Sequence, residues 1–302
     1  MDAIYDEIQH LKKENNAVIL AHYYVSEEVQ KCADYIGDSF YLSRLAAELP
    51  AETLVFAGVS FMGESAKLLS PDKKVLMPEP SADCPMAYMA SEEKIQSLRR
   101  EYPDLAVVCY VNSTGRLKSL SDVCVTSSNA VKIVRGLPNR HIFFIPDANL
   151  GRFVAEQVPE KQIILNEGFC PVHDEVSAEQ IKEAMAAHPG AKVLVHPECR
   201  SEVTELSDFA GSTSEIIDYA SKSSDREFII VTENGVFAEL KKKNPDKVFY
   251  AAAGGQNCPG MKSITLEKVR DCLKYQTGEV FADQETCRSA RLPLDRMLEA
   301  GK

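Results

Sequence analysis

The chain has 302 residues, of which 45% are hydrophobic and 26% are charged, and its net charge is −11. Such a composition is typical of a globular protein with one large core or two to three smaller ones. The acidic balance argues against nucleic-acid binding, no apolar run is long enough for a bilayer, and the first residues do not resemble a signal peptide, so we expect a cytoplasmic protein.

Short β-branched runs alternate with helical stretches along the chain, as in βαβ units around a parallel sheet. The candidate first strands are "AVILAHYY", "AVVCYVN" and "KVLVHPE", and they reach His22, Tyr110 and His196, which lie 88 and 86 residues apart. Counting forward from these origins brings aspartates, hydroxyl residues and Cys-Pro pairs into register, which predicts an internal triplication. The matching sets are Asp34, Asp122 and Asp208; Ser39, Ser127 and Thr213; and Cys84, Cys170 and Cys258.

Each copy is predicted as β-α-β-α-β, with right-handed crossovers placing helices over the sheet faces. The expected fold class is α/β, with three homologous small doubly wound parallel-sheet domains around a pseudo-threefold axis and a central active site. We expect the repeats at 1–86, 87–172 and 173–261, with the carboxyl-terminal helices 262–302 packing on the first. No copy carries G-x-G-x-x-G after its first strand, so dinucleotide binding has no motif.

Ligands of open parallel sheets bind beyond the carboxyl ends of the strands. A pseudo-threefold axis would bring three such edges around one cavity, and Cys84, Cys170 and Cys258 would meet near it. The proline after each cysteine ends the strand ladder and fixes the turn.

Three thiolates suit an iron–sulfur cluster better than structural zinc, which usually takes four ligands, often as C-x-x-C pairs that this sequence lacks. A 4Fe–4S cluster on three cysteines leaves one iron open to act as a Lewis acid. The other cysteines are expected to be structural; they are Cys32, Cys109, Cys124, Cys199, Cys272 and Cys287.

The polar residues at the strand ends predict an anion-binding, acid–base site. Ser39, Ser127 and Thr213 open helices, where they can act as N-caps while the free N–H groups bind anions. The other polar residues at the strand ends supply hydrogen-bond donors, an acceptor and an acid–base pair. They are His22, Tyr24, Tyr110, Asn112, His173, His196 and Glu198. The three aspartates are interpreted as structural residues that hold the loop before each helix.

These residues resemble the quinolinate synthase family, the iron–sulfur enzymes of de novo NAD biosynthesis, over essentially the whole chain. The likeness rests on ordered motifs: "AHYY", "GDS", "CPMA", "YVNST", "TSSNA", "PDANLG", "GFCPVH", "HPEC", "GSTS" and "GGQNCPGM". Some members carry a C-x-x-C in the tail that forms a redox-sensitive disulfide. Here Cys287 stands alone, so that switch is not expected.

The resemblance implies three quasi-identical domains, a 4Fe–4S cluster on Cys84, Cys170 and Cys258, and the condensation of iminoaspartate with dihydroxyacetone phosphate to quinolinate, releasing phosphate and two waters. An L-aspartate oxidase or aspartate dehydrogenase would supply the iminoaspartate. Tyr24 and Glu198 are candidates for proton transfer. The other residues that match the family's site are His22, Ser39, Tyr110, Asn112, Ser127, His173, His196 and Thr213.

Three alternatives stay open at this point. Another hydro-lyase with a three-cysteine cluster would differ only in its substrate. A non-catalytic iron–sulfur carrier would have no use for the His, Tyr, Asn and Glu residues at the strand ends. A zinc protein would lack the absorbance of an iron–sulfur cluster.

Overall fold

The computed structural model describes residues 2–301, in which twelve strands form three four-stranded parallel sheets. The strands are β1 (Ala17–His22), β2 (Tyr35–Gly37), β3 (Thr53–Ala57), β4 (Lys74–Leu76), β5 (Ala106–Tyr110), β6 (Val123–Val125), β7 (His141–Ile145), β8 (Gln162–Leu165), β9 (Lys192–Val195), β10 (Phe209–Ala210), β11 (Glu227–Val231) and β12 (Val248–Ala251).

Helices alternate with these strands and two 3₁₀ turns, Pro85–Tyr88 and Ala252–Gly254, add to them. The helices are α1 (Asp2–Glu14), α2 (Glu27–Cys32), α3 (Ser39–Glu48), α4 (Ser60–Leu69), α5 (Glu92–Glu101), α6 (Gly115–Ser119), α7 (Ala130–Gly136), α8 (Ala148–Gln157), α9 (Pro171–Asp174), α10 (Ala178–Ala187), α11 (Ser201–Thr204), α12 (Thr213–Lys222), α13 (Val236–Lys243), α14 (Pro259–Lys262), α15 (Leu266–Tyr275) and α16 (Gln284–Ala300).

The three sheets share one topology, with strand orders β2-β1-β3-β4, β6-β5-β7-β8 and β10-β9-β11-β12. Their register also agrees, since the first two strands of each sheet pair with an offset of 15 residues. The pairs are Leu20 with Tyr35, Val108 with Val123, and Leu194 with Phe209. The predicted fold class of three homologous doubly wound units is therefore confirmed.

Each repeat contains one strand more than the sequence predicted. The additional strands β2, β6 and β10 have three, three and two residues. A strand of two or three residues is too short to show a hydrophobic period in the sequence. Its pairing with the central strand is decided by tertiary contacts.

The three aspartates attach these short strands to the sheet. Asp34 Oδ2 accepts the backbone N–H of Ile19 at 2.8 Å, and its own N–H donates to the Ile19 carbonyl at 3.0 Å. Asp122 with Val107 and Asp208 with Val193 repeat the arrangement, with N–H···carboxylate distances of 2.7 and 2.9 Å. The structural role predicted for these aspartates is confirmed.

The carboxyl-terminal helices pack on more than one repeat. Helix α15 lies against α1 and β3, whereas α16 lies against α4 and also against α6 and β6 of the second sheet. Arg296 Nη1 donates to the Asp122 carbonyl oxygen at 2.6 Å. The proposed boundaries at residues 86, 172 and 261 stay predictions. Within residues 2–301, no helix combines the length and apolar character needed to cross a membrane.

Candidate active site

One cavity lies at the carboxyl ends of the strands and takes residues from all three repeats. All thirteen residues proposed from the sequence line it, and the empty volume between its lining atoms, including the opening to solvent, is about 670 Å³. His22 and Tyr110 end β1 and β5, and His196 directly follows β9. The shared topology therefore brings equivalent strand ends to the same place.

The three Cys-Pro pairs have one local structure. Cys84, Cys170 and Cys258 each precede a four-residue helix or 3₁₀ turn whose first residue is the proline. Backbone N–H groups of the turn are hydrogen-bonded to each sulfur, which favours the thiolate form. The sequence folds this way because proline is well tolerated in the first turn, where its missing N–H is not needed.

The donor set of these thiols fits an iron–sulfur cluster. Burial raises the pKa of all three thiols, that of Cys84 to about 12, so three thiolates here need a bound cation. No other cysteine among the described residues lines the cavity. Ligand atoms of Cys170, His173 and Glu198 also lie within 4.8 Å of one another, which is close enough for a single metal ion.

His22 and His196 are held as neutral rings with the same orientation. The backbone N–H of Tyr24 donates to His22 Nδ1 at 3.2 Å, and that of Glu198 donates to His196 Nδ1 at 3.3 Å. Burial lowers the pKa of both imidazoles to about 3. Because Nδ1 accepts, the single ring proton sits on Nε2, and each histidine can donate from that atom.

A chain of hydrogen bonds connects Glu198 with Tyr24. Glu198 Oε2 lies 2.8 Å from His173 Nδ1, and His173 Nε2 lies 3.0 Å from Thr232 Oγ1. The Tyr24 hydroxyl lies 2.9 Å from Thr232 Oγ1 and 2.7 Å from Thr213 Oγ1. With one proton on each group, every member can donate to the next, from Thr213 to Glu198.

Burial and neighbouring charged or hydrogen-bonding side chains set the protonation states of Glu198, Tyr24 and Tyr110. Burial raises the pKa of Glu198, but His173, His196 and the Tyr110 hydroxyl lower it more, to about 2. Burial, followed by the Glu198 charge, raises the pKa of Tyr24 and Tyr110 well above the usual value. At neutral pH the Glu198 carboxylate therefore lies among groups that include the protonated hydroxyls of Tyr24 and Tyr110.

Two buried oxygen atoms in the cavity wall lack a hydrogen-bond partner within the described chain: Glu198 Oε1 and Asn112 Oδ1. Unpaired buried polar atoms are costly, and native proteins leave few of them. Both residues line the space that a substrate would occupy, so a bound molecule with hydrogen-bond donors would satisfy them.

The capping role expected of the three hydroxyl residues is wrong. The N-caps of α3 and α12 are Asp38 and Ser212, while Ser39 and Thr213 are the first helical residues. Ser127 precedes α7 by three residues, in a turn where Thr126 N–H donates to the Asn129 side chain. The hydroxyls of Ser39, Ser127 and Thr213 are thus available to the cavity instead of the helix ends.

Sequence reasoning missed two carboxylates that support the cysteines. Glu233 Oε1 accepts the backbone N–H of Cys258 at 3.0 Å and pairs with Lys262 Nζ at 2.9 Å. Asp147 accepts the backbone N–H of Cys170 in the same way. Both lie 37 residues beyond Tyr110 or His196, so continued counting within the repeats would have found them.

Comparison with known proteins agrees with this architecture. The family model described as "Quinolinate synthetase A protein" matches residues 6–299. The chain belongs to this family. A quinolinate synthase of Caldicellulosiruptor bescii is 54% identical over 301 residues, covering 100% of this chain and 99% of the relative. A quinolinate synthase of Clostridioides difficile is 49% identical, covering 94% and 93%.

Proposed function

We propose that the chain condenses iminoaspartate with dihydroxyacetone phosphate to quinolinate, releasing phosphate and two waters, as a step of de novo NAD biosynthesis. The observation that carries this function is the single cavity that joins three cysteines, one from each repeat, to neutral histidines, protonated tyrosines and an ionised glutamate. Membership of the quinolinate synthetase A family supports the same reaction. A separate enzyme that oxidises L-aspartate, an oxidase or a dehydrogenase, would supply the imine.

Cys84, Cys170 and Cys258 would hold a 4Fe–4S cluster. Such a cluster supplies an open iron that acts as a Lewis acid on a substrate oxygen during dehydration. The turn amides directed at each sulfur, and the acidic side chains that accept the Cys170 and Cys258 backbone N–H groups, support the three cysteines that line the cavity.

The substrates carry two carboxylates and a phosphate, yet no lysine or arginine of the described chain lines the cavity. Anion binding therefore falls to helix amino termini and neutral donors. Helices α3 and α12 begin at Ser39 and Thr213, which both line the cavity, and His22 and His196 present Nε2–H groups.

Proton transfers fit the hydrogen-bond chain. Glu198 is the only ionised group in it and is suited to accept a proton, with Oε1 free for substrate. Tyr24 keeps its proton and can donate it, and Thr213 can replace that proton through the 2.7 Å contact. His173 and Thr232 connect Glu198 with Tyr24 through hydrogen bonds. A proton that Tyr24 loses can therefore be restored by the proton that Glu198 gains.

Anaerobic purification followed by iron and sulfide analysis and a quinolinate assay tests the proposal. We expect four irons and four sulfides per chain by the cluster assignment, and quinolinate only when both substrates are present. A full cluster without quinolinate formation would favour another hydro-lyase or a non-catalytic iron–sulfur protein. Zinc in place of iron would favour the Cys170, His173 and Glu198 group as a single-ion site.

A further inference from the structure

The turn that follows Cys258 reaches across to the segment that contains Tyr24. Lys262, the last residue of α14, donates from Nζ to the Tyr24 carbonyl oxygen at 2.8 Å and pairs with Glu233 Oε1 at 2.9 Å. The same Glu233 oxygen accepts the Cys258 backbone N–H at 3.0 Å. The Glu233 side chain is 1% exposed, so solvent and salt screen this ion pair weakly. A short series of contacts therefore joins the backbone of Cys258 to the backbone of Tyr24.

Gly235 lets the two backbones at this junction pack directly on each other. A Cβ atom at this position would come within 2.6 Å of Tyr24 Cα. The Gly235 N–H donates to Glu233 Oε2 at 2.6 Å. Gln30 Nε2 donates to the carbonyl oxygens of Tyr23 and Gly235, at 2.8 and 3.0 Å. The backbone of the Tyr24 segment is thus held against the turn that contains Glu233.

An equivalent junction holds the segment that contains Glu198. Asn149 Nδ2 donates to the Glu198 carbonyl oxygen at 3.1 Å and to Asp174 Oδ1 at 3.0 Å. Asp174 is the last residue of α9, and its N–H donates to the Cys170 carbonyl oxygen at 2.9 Å. Asn149 is 8% exposed, so water has little access to compete for its amide. The turn after Cys170 is therefore joined to Glu198 through Asn149.

The two junctions occupy matching positions in the repeats. Each joins the fourth residue after a cysteine, directly or through one side chain, to the carbonyl of the second residue after a strand-end histidine. The matched pairs are Lys262 with Asp174, Tyr24 with Glu198, and Gly235 with Asn149. The same connection is thus made twice, with different side chains, to the two groups suited to proton transfer.

We propose that Lys262 and Asn149 are positioning residues for the two proton-transfer groups. Lys262 fixes the place of Tyr24 relative to the nearest cysteine turn, and Asn149 does the same for Glu198. The carbonyl that is held belongs to the same residue as the reacting side chain, so its release displaces that side chain. A displacement of about 1 Å can slow a reaction by up to about 100-fold. This inference rests on the proposed function, which assigns the proton transfers.

Hydrogen–deuterium exchange of the cluster-containing protein tests the two contacts without using activity. Lys262→Met should speed exchange of the backbone amides of residues 23–25 about tenfold and leave residues 198–199 at the wild-type rate, because only the first segment loses its contact. Asn149→Leu keeps the size of the side chain and should give the reverse pattern. Wild-type exchange in either variant, or faster exchange in both segments at once, would overturn the assignment.

Steady-state kinetics per cluster tests the positioning role of Lys262. Lys262→Met should lower kcat about tenfold with a smaller change in KM, since Tyr24 acts in proton transfer. In a Tyr24→Phe background the same substitution should cause no further loss, because the hydroxyl that Lys262 positions is already absent. Lys262→Arg keeps a charged donor and should recover most of the lost kcat. Additive losses of kcat from Lys262→Met and Tyr24→Phe would overturn the role.

Asn149 has the corresponding test against Glu198. Asn149→Leu should lower kcat about tenfold in the wild-type background and not at all in Glu198→Gln. Equal losses in the two backgrounds would show that Asn149 does not act through Glu198.

Lys268→Met and Asn244→Leu are the matched controls, since neither residue lines the cavity. Lys268 Nζ also joins a carboxylate and a carbonyl, those of Glu79 at 2.5 Å and Ser263 at 2.8 Å. The buried Asn244 side chain also donates to a carbonyl, that of Leu240 at 3.1 Å. Both controls should keep wild-type kcat and wild-type exchange in the two segments. A tenfold loss of kcat in either control would show that the kinetic effect is not specific to the junctions.

A double variant covers the case in which Lys262→Met does not bind a cluster because its Glu233 carboxylate is left buried and unpaired. Glu233→Gln, Lys262→Met removes both charges and then takes the place of Lys262→Met in each experiment, with the same expected results. Absence of quinolinate with wild-type protein would refute the proposed function and leave the exchange result standing.

Discussion

Each repeat has a structural side, where its short edge strand joins the sheet, and a cavity side, at the carboxyl ends of its strands. The three repeats are more alike on the structural side than on the cavity side. Where the short edge strand joins each sheet, Asp34, Asp122 and Asp208 make the same two backbone hydrogen bonds. At the carboxyl ends, equivalent positions hold His22, Tyr110 and His196, and two residues on, Tyr24, Asn112 and Glu198. At this end the three repeats share a Cys-Pro pair and a hydroxyl residue. The three repeats thus use the same residue for the same structural contact. The residues that they contribute to the cavity differ, which makes the site asymmetric.

An asymmetric substrate explains the difference. A cavity with three identical walls would present the same groups in three directions, whereas condensation requires a proton acceptor, a proton donor and neutral anion-binding groups in separate places. The three cysteines can stay alike because, in the proposed cluster site, each would supply the same ligand atom.

The largest expected effect comes from the position that the repeats share at the cavity. Changing Cys84, Cys170 or Cys258 to Ser should abolish cluster binding and quinolinate formation while the secondary structure persists. Cys272→Ser is the control, since this buried thiol donates to the Thr277 carbonyl and does not line the cavity. Iron analysis and the quinolinate assay decide it; full iron and turnover in any of the three variants would show that its cysteine is not a ligand.

The next largest effect is expected at Tyr24 and Glu198, which occupy equivalent positions in two repeats but differ in residue type. Tyr24→Phe and Glu198→Gln keep the shape of each side chain and remove a proton donor or an acceptor. Turnover per cluster should fall roughly 100-fold or more in both, the usual scale of general acid–base catalysis. Iron content and melting temperature measured on the same samples provide the control. If stability falls while turnover per cluster stays normal, the two groups serve only as hydrogen-bond partners.

A substitution of the aspartate that all three repeats share should lower stability and leave turnover unchanged, the opposite of the effect expected at Tyr24 and Glu198. Asp208→Ala leaves the buried N–H of Val193 without its acceptor, which should lower the free energy of unfolding by about 1–3 kcal/mol. Turnover per folded, cluster-containing molecule should stay near wild type. Lys192→Met removes only the solvent-exposed ion pair with Asp208 and should cost less stability than Asp208→Ala. A large loss of turnover in Asp208→Ala with unchanged stability would contradict the division between the two sides.

The smallest expected effect concerns the two equivalent histidines. Burial places the pKa of His22 at about 3, below the usual 6.5, so the unfolded chain binds the proton first. The stability tied to neutral His22 is complete above about pH 6.5 and is lost as the pH falls towards about 3. His22→Gln should therefore show a smaller drop in Tm than wild type between about pH 7 and about pH 5. His10→Gln, at an exposed histidine, is the control; identical pH profiles for wild type and His22→Gln would show that burial does not hold His22 neutral.

The repeat pattern in the sequence was sufficient to predict much of this molecule. The sequence predicted the three sheets, the convergence of strand ends and thirteen of the twenty residues that line the cavity. These predictions succeed because a doubly wound unit sends its carboxyl ends to one edge, so sequence position determines location. Ordinary hydrophobic periodicity was enough to place the long strands.

Tertiary structure decided what sequence position alone does not determine. The edge strands β2, β6 and β10 form only by pairing with a neighbour, and α16 lies across two repeats because its apolar face fits both. The N-cap roles went to Asp38 and Ser212 because a one-residue shift in the start of a helix changes which side chain reaches its free N–H groups. The hydrogen-bond chain through Thr232 joins residues far apart in sequence, and such pairings follow from packing rather than from any local pattern.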